Sequence, residues 1–144
     1  MEFKNWLVTE MRHNTVGVMH YDQKRAVVWV DNDIAEYYRS LIPKAKYVQS
    51  QAQKAHITVI RATSNKQIEV PTNLEAWGKY EGEKVSFEYE PQIKFDAPYY
   101  YLDAWSDRIG DIREELGLPR FRHTDLGKAP FQSYHITLGN IKNR

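Results

Sequence analysis

The sequence contains no cysteine. That excludes disulfides, cysteine-ligated zinc, iron–sulfur clusters and a cysteine nucleophile. No apolar run approaches the roughly 18 residues of a membrane-spanning helix. The start of the chain, Met1-Glu2-Phe3-Lys4, lacks the apolar stretch of a secretory signal. The expectation is a cytoplasmic protein with no membrane partner. Net charge is nearly absent, with 20 Lys and Arg against 19 Asp and Glu, or +1 at neutral pH. A strongly cationic coat for long nucleic acid is thereby excluded. Glycine (7) and proline (6) are sparse, and no Gly/Ser linker divides the 144 residues, so a single domain is expected. What the chain does have is enough apolar content (42%) for a real core, and ten tyrosines.

β signals dominate. Segments 6–9, 15–19, 26–30, 55–60, 85–89, 98–102 and 134–138 are rich in β-branched and aromatic residues, and turn residues bound most of them. Two helices interrupt. Ile34, Tyr37, Tyr38 and Leu41 recur at helical spacing behind Asp31 or Asp33 as N-cap. Ile109, Ile112 and Leu116 do so behind Asp103 or Ser106, with Gly117 as the residue past the end and Pro119 as the stop.

The order of elements repeats. Val27-Val28-Trp29-Val30-Asp31, a helix, Pro43 and a polar loop lead to His56-Ile57-Thr58-Val59. Tyr99-Tyr100-Tyr101-Leu102-Asp103, a helix, Pro119 and a basic loop lead to His135-Ile136-Thr137-Leu138. Two similar units that each leave a face unburied favour packing against one another. The expected architecture is α+β and bilobal, with an approximate two-fold, antiparallel sheets lining a central groove and helices outside.

The chemistry lies in the two His-x-Thr strands. Side chains alternate along a strand, so His56 and Thr58 share one face while Ile57 and Val59 anchor the other. His135 and Thr137 stand the same way against Ile136 and Leu138. Two of the five histidines sit in this pattern. A pair of imidazoles suits general acid–base catalysis near neutral pH. Two hydroxyls beside them suit donation to the non-bridging oxygens of a phosphoryl group.

Two His-x-Thr motifs 79 residues apart, each followed by an aliphatic residue, resemble those of the 2H phosphoesterase superfamily, which includes the LigT-like cyclic phosphodiesterases. Tyr134-His135-Ile136-Thr137-Leu138-Gly139-Asn140, Leu116-Gly117-Leu118-Pro119 and Trp77-Gly78-Lys79-Tyr80-Glu81-Gly82 look most like the phage anti-CBASS phosphodiesterases, which degrade cyclic di- and trinucleotide immune signals. The resemblance implies that His56 and His135 are the catalytic pair and that Thr58 and Thr137 contact phosphate. It also implies metal-independent hydrolysis, and host cytoplasm as the location. The alternatives are a LigT-like 2′,3′-cyclic phosphodiesterase or RNA-processing enzyme, and a non-catalytic cyclic-nucleotide sponge.

Secondary candidates follow from nucleotide chemistry. Bases stack on rings, which singles out Trp77, Tyr80, Tyr99, Tyr101 and Trp105, although each has an ordinary place in a core. Lys54, two residues before His56, is positioned to attract phosphate if the strand extends that far. Most of Arg108, Arg113, Arg120, Arg122 and Lys128 read as solvated loop and helix charges. His13, His20 and His123 have no metal-ligand spacing, and neither a metal nor another cofactor is expected.

Overall fold

The computed structural model describes residues 12–23, 25–61, 69–122 and 133–142. The expected strand at 6–9, together with His123 and Lys128, lies outside them. The elements are β1 (His13–Tyr21), β2 (Arg25–Trp29), α1 (Asn32–Ser40), β3 (His56–Arg61), β4 (Lys84–Tyr89), β5 (Lys94–Asp96), β6 (Tyr99–Trp105), α2 (Asp107–Glu115) and β7 (Tyr134–Asn140).

The strands do not form two lobes. All belong to one antiparallel sheet in the order β4-β1-β2-β3-β7-β6-β5, and β4 pairs again with β6 through Glu88↔Trp105 and Tyr89↔Ala104. Six strands thus close into a barrel, with β5 lying along the first half of β6. The expected bilobal α+β fold with helices outside is overturned. The physical reason is the pairing of the two histidine strands with each other, at Ile57↔Ile136. That seam fuses the two halves, and the β4–β6 contact closes the far side, where separate lobes would have left open edges. Among the described residues two α-helices, each of nine residues, and two short 3-10 turns accompany the barrel.

What the sequence repeat corresponds to is a repeated register. Trp29↔His56, Val28↔Ile57 and Val27↔Thr58 in one strand pair match Asp103↔His135, Leu102↔Ile136 and Tyr101↔Thr137 in the other. Both ladders carry a bulge at the same point. Ala26 pairs with Ile60 and Val27 with Thr58, skipping Val59; Tyr100 pairs with Gly139 and Tyr101 with Thr137, skipping Leu138. A bulge shifts the in–out alternation by one residue. Arg61 and Asn140, each three residues after its threonine, therefore return to the face that carries the histidines.

The opposite face joins a single core. Ile57, Val59, Leu102, Ile136 and Leu138 are fully buried, together with Ile109 and Ile112 of α2. Asp31 caps α1, accepting from the Asp33 N–H at 2.9 Å, and Ser106 Oγ caps α2, accepting from the Ile109 N–H at 3.3 Å. Asp103, the other candidate cap for α2, has a different place, described below. Helix α2 ends as its sequence suggests. Gly117 sits at φ +85°, its N–H donates to the Glu114 carbonyl and the Leu118 N–H to the Arg113 carbonyl. This is the left-handed terminus that glycine adopts without a Cβ penalty. In β1, a Cβ on Gly17 would meet Val28 Cγ1 at 2.4 Å and the Trp29 carbonyl at 2.5 Å, so only glycine allows β2 to approach this closely.

Candidate active site

Continuing the antiparallel register from Ile57↔Ile136 puts His56 across from Thr137 and Thr58 across from His135. The two imidazoles become diagonal neighbours, which in a regular ladder stand about 7–8 Å apart. All four side chains line one cavity of about 740 Å³.

Each histidine has a distinct backing. The Nδ1–H of His56 donates to the Lys54 carbonyl at 2.7 Å. A carbonyl only accepts, so the proton of the neutral ring resides on Nδ1 and the lone pair on Nε2. The Trp29 ring stands edge-on to this imidazole at 6.0 Å. Burial pushes the His56 pKa below the usual imidazole value; the Lys54 carbonyl opposes this and the Arg25 charge adds to it. Across the seam, Asp103 faces His135 in the register position that Trp29 holds opposite His56. Its Oδ1 lies 3.7 Å from His135 Nε2, and the Tyr101 ring stands against the imidazole at 4.7 Å. Burial lowers the His135 pKa too; the nearby Asp103 carboxylate opposes this by favouring the imidazolium, and the Arg122 and Lys94 charges add to the lowering. Asp103 is itself held: Ser133 Oγ donates to Oδ1 at 2.9 Å and Lys94 Nζ donates to Oδ2.

The cavity wall is cationic. Arg25, Arg61, Arg122 and Lys142 line it, and among the described residues no Asp or Glu does. In a chain of net charge +1 this is a local concentration of positive charge, suited to an anion. Behind Thr58, Arg113 is fully buried rather than solvated. It donates to the Val59 carbonyl at 2.6 Å, to the Pro119 carbonyl at 2.7 Å and through both Nη atoms to Glu69. At the His56 end, amides gather. Asn140 Nδ2 donates to Gln51 Oε1 at 2.5 Å, and Arg25 Nη1 donates to Gln53 Oε1.

Among the other expected site residues, only Tyr99 lines the cavity, with Lys142 Nζ 4.9 Å from its ring. Tyr101 backs His135 without lining the cavity. Lys54 contributes its carbonyl, because β3 begins at His56 and the lysine side chain turns toward the Trp29 ring at 5.8 Å. Trp77 packs edge-on against Tyr21, Tyr80 donates to Glu115 beneath the Arg108 guanidinium, and Trp105 lies under Arg12 at 3.8 Å. None of these three lines the cavity.

Sequence reasoning missed Asp103 as a histidine partner, and it missed Arg61 and Asn140. A signal for the last two existed: both motifs extend to His-x-Thr-x-x followed by a polar residue, Arg61 in one and Asn140 in the other. Among the described residues, no group of three or more His, Asp or Glu is placed to hold a metal ion, and no helix is long and apolar enough to cross a membrane. Comparison with protein-family models, curated proteins and solved structures returns no match.

Proposed function

We propose that the chain is a phosphodiesterase that cleaves 3′–5′ linkages of cyclic di- or trinucleotide signals by two-histidine general acid–base catalysis, as the 2H phosphoesterase resemblance implies. The observation that carries the reading is the convergence of both His-x-Thr motifs on one cavity that cationic side chains also line. His56 is the base: its Nε2 holds the lone pair while Nδ1 is tied to the Lys54 carbonyl. It takes the proton of a ribose 2′-OH as that oxygen bonds to phosphorus. The P–O5′ bond breaks, and His135, whose imidazolium Asp103 favours, delivers a proton to the leaving oxygen. The products are a 2′,3′-cyclic phosphate end and a 5′-hydroxyl. Atoms and charge balance, and reversing the two roles lets water open the cyclic phosphate. Thr58 and Thr137 donate to the non-bridging oxygens, where charge develops.

The nucleophile gives the reading a test. Cyclic GMP–AMP and a cyclic tri-adenylate should be cleaved to 2′,3′-cyclic phosphate ends, and 2′-deoxy analogues should be inert. Turnover of a nucleoside 2′,3′-cyclic phosphate or a short RNA alone would move the substrate to RNA processing. Tight binding that His56→Ala and His135→Ala leave intact, with no turnover by wild type, would mean a sponge.

A further inference from the structure

The cavity is polarised along the β3–β7 seam. Asn140, Gln51 and Tyr99 lie toward its His56 end, and Arg61, Arg122 and Ser133 toward its His135 end. Arg61 reaches that position because the β3 bulge restores it to the face of Thr58. Arg122 is the unusual member. Its side chain is 17% exposed, and among the described residues its buried Nε has no hydrogen-bond acceptor. Among the described residues its anionic neighbour is Glu69, at 3.4 Å from Nε, and both oxygens of that carboxylate also accept from Arg113. Two guanidiniums with little access to water thus share one carboxylate, with Arg61 close enough to add repulsion. A charge that is only partly compensated and has little access to water is costly. It is accounted for if an anion entering the cavity completes the cluster.

We infer that Arg122, together with Arg61, forms a second anion subsite that takes a phosphate of the substrate other than the one held between the histidines. This rests on the phosphodiesterase reading and narrows it: the preferred substrate carries at least two phosphates. A cyclic di- or trinucleotide meets that requirement. A nucleoside 2′,3′-cyclic phosphate, with a single phosphorus, does not. The geometry also sets a direction. The scissile phosphate sits at the histidine–threonine quartet, the second phosphate beyond Thr58 toward Arg61, and a base toward Tyr99 and the amides.

The test compares wild type with Arg122→Gln on cyclic GMP–AMP and on a linear dinucleoside monophosphate, whose one phosphate is the scissile one. Kd for inorganic pyrophosphate is measured alongside, by thermal shift. The variant should lose about 10- to 100-fold more in kcat/KM on the cyclic dinucleotide than on the linear compound, the worth of one charged phosphate contact; the linear compound registers only the removal of a positive charge near His135. Pyrophosphate should raise the Tm of wild type and leave that of the variant nearly unmoved. The unliganded variant should be at least as stable as wild type, because it removes a competitor for Glu69. Equal losses on both substrates would place Arg122 on the scissile phosphate and overturn the inference. So would a lower Tm for the unliganded variant, which would make Arg122 a structural residue. If neither compound is turned over, the phosphodiesterase reading fails, while the pyrophosphate arm still decides whether Arg122 holds an anion.

Discussion

Glu69 is the carboxylate that both Arg113 and Arg122 face, and Glu69→Gln removes its charge. The carboxylate accepts from Arg113 at 3.1 and 2.6 Å and lies 3.4 Å from Arg122 Nε, with Arg113 fully buried. Replacing it with an amide leaves two guanidiniums facing each other with no counter-charge. Removing one partner of a buried ion pair costs about 3–5 kcal/mol. At about 2–4 °C per kcal/mol for a domain of this size, Tm should fall by roughly 6–20 °C. The assay is thermal unfolding followed by far-UV circular dichroism at fixed low salt, with and without saturating pyrophosphate. Pyrophosphate should recover part of the loss, since it replaces the missing negative charge. A Tm within about 2 °C of wild type would refute the reasoning, because it would mean that Arg113 and Arg122 are not electrostatically dependent on this one carboxylate.

Four further outcomes follow. Thr58→Val and Thr137→Val should each lower kcat by about 10²–10³-fold with little change in far-UV signal, as loss of one donor to a developing oxyanion does; a change in KM alone would make the hydroxyls mere binding groups. The pH profile of kcat/KM should be displaced to the acid side of the ordinary imidazole range, since burial lowers both histidines: the base stays deprotonated to lower pH, and the acid loses its proton sooner as pH rises. Asp103→Asn should move the alkaline limb further toward acid, because it removes the carboxylate that favours the His135 imidazolium; an unmoved alkaline limb would separate Asp103 from the acid. Ile57→Ala at the fully buried seam should cost about 2–5 kcal/mol in urea unfolding, and a loss below about 1 kcal/mol would contradict the β3–β7 packing.

Local structure was largely legible from the sequence, because local signals determine it. The spacing of Ile109, Ile112 and Leu116, the Ser106 cap and Gly117 at the terminus place α2 from short-range chemistry alone. The His-x-Thr alternation likewise put Ile57 and Ile136 in the core and the histidines on one face. The barrel was not legible. Its closure depends on Tyr89 meeting Ala104 and Ile57 meeting Ile136, pairings between distant segments that no local pattern announces. The cationic wall was hidden for a related reason. Arg61 faces the cavity only because a bulge interrupts β3, and Arg113 is buried only because Glu69 and two carbonyls converge on it. Asp103 read as a helix cap because an Asp between a strand and a helix ordinarily is one; the strand runs two residues further, and Ser106 takes the cap.

In the proposed mechanism two histidines on neighbouring strands cleave a phosphodiester without help from a metal. The direct measurement is turnover of cyclic GMP–AMP in EDTA by wild type, His56→Ala and His135→Ala, with products identified by mass. Wild type should give a 2′,3′-cyclic phosphate product, and each variant should lose at least about 10²-fold in rate. Turnover that either variant retains, or that EDTA abolishes, would contradict the mechanism.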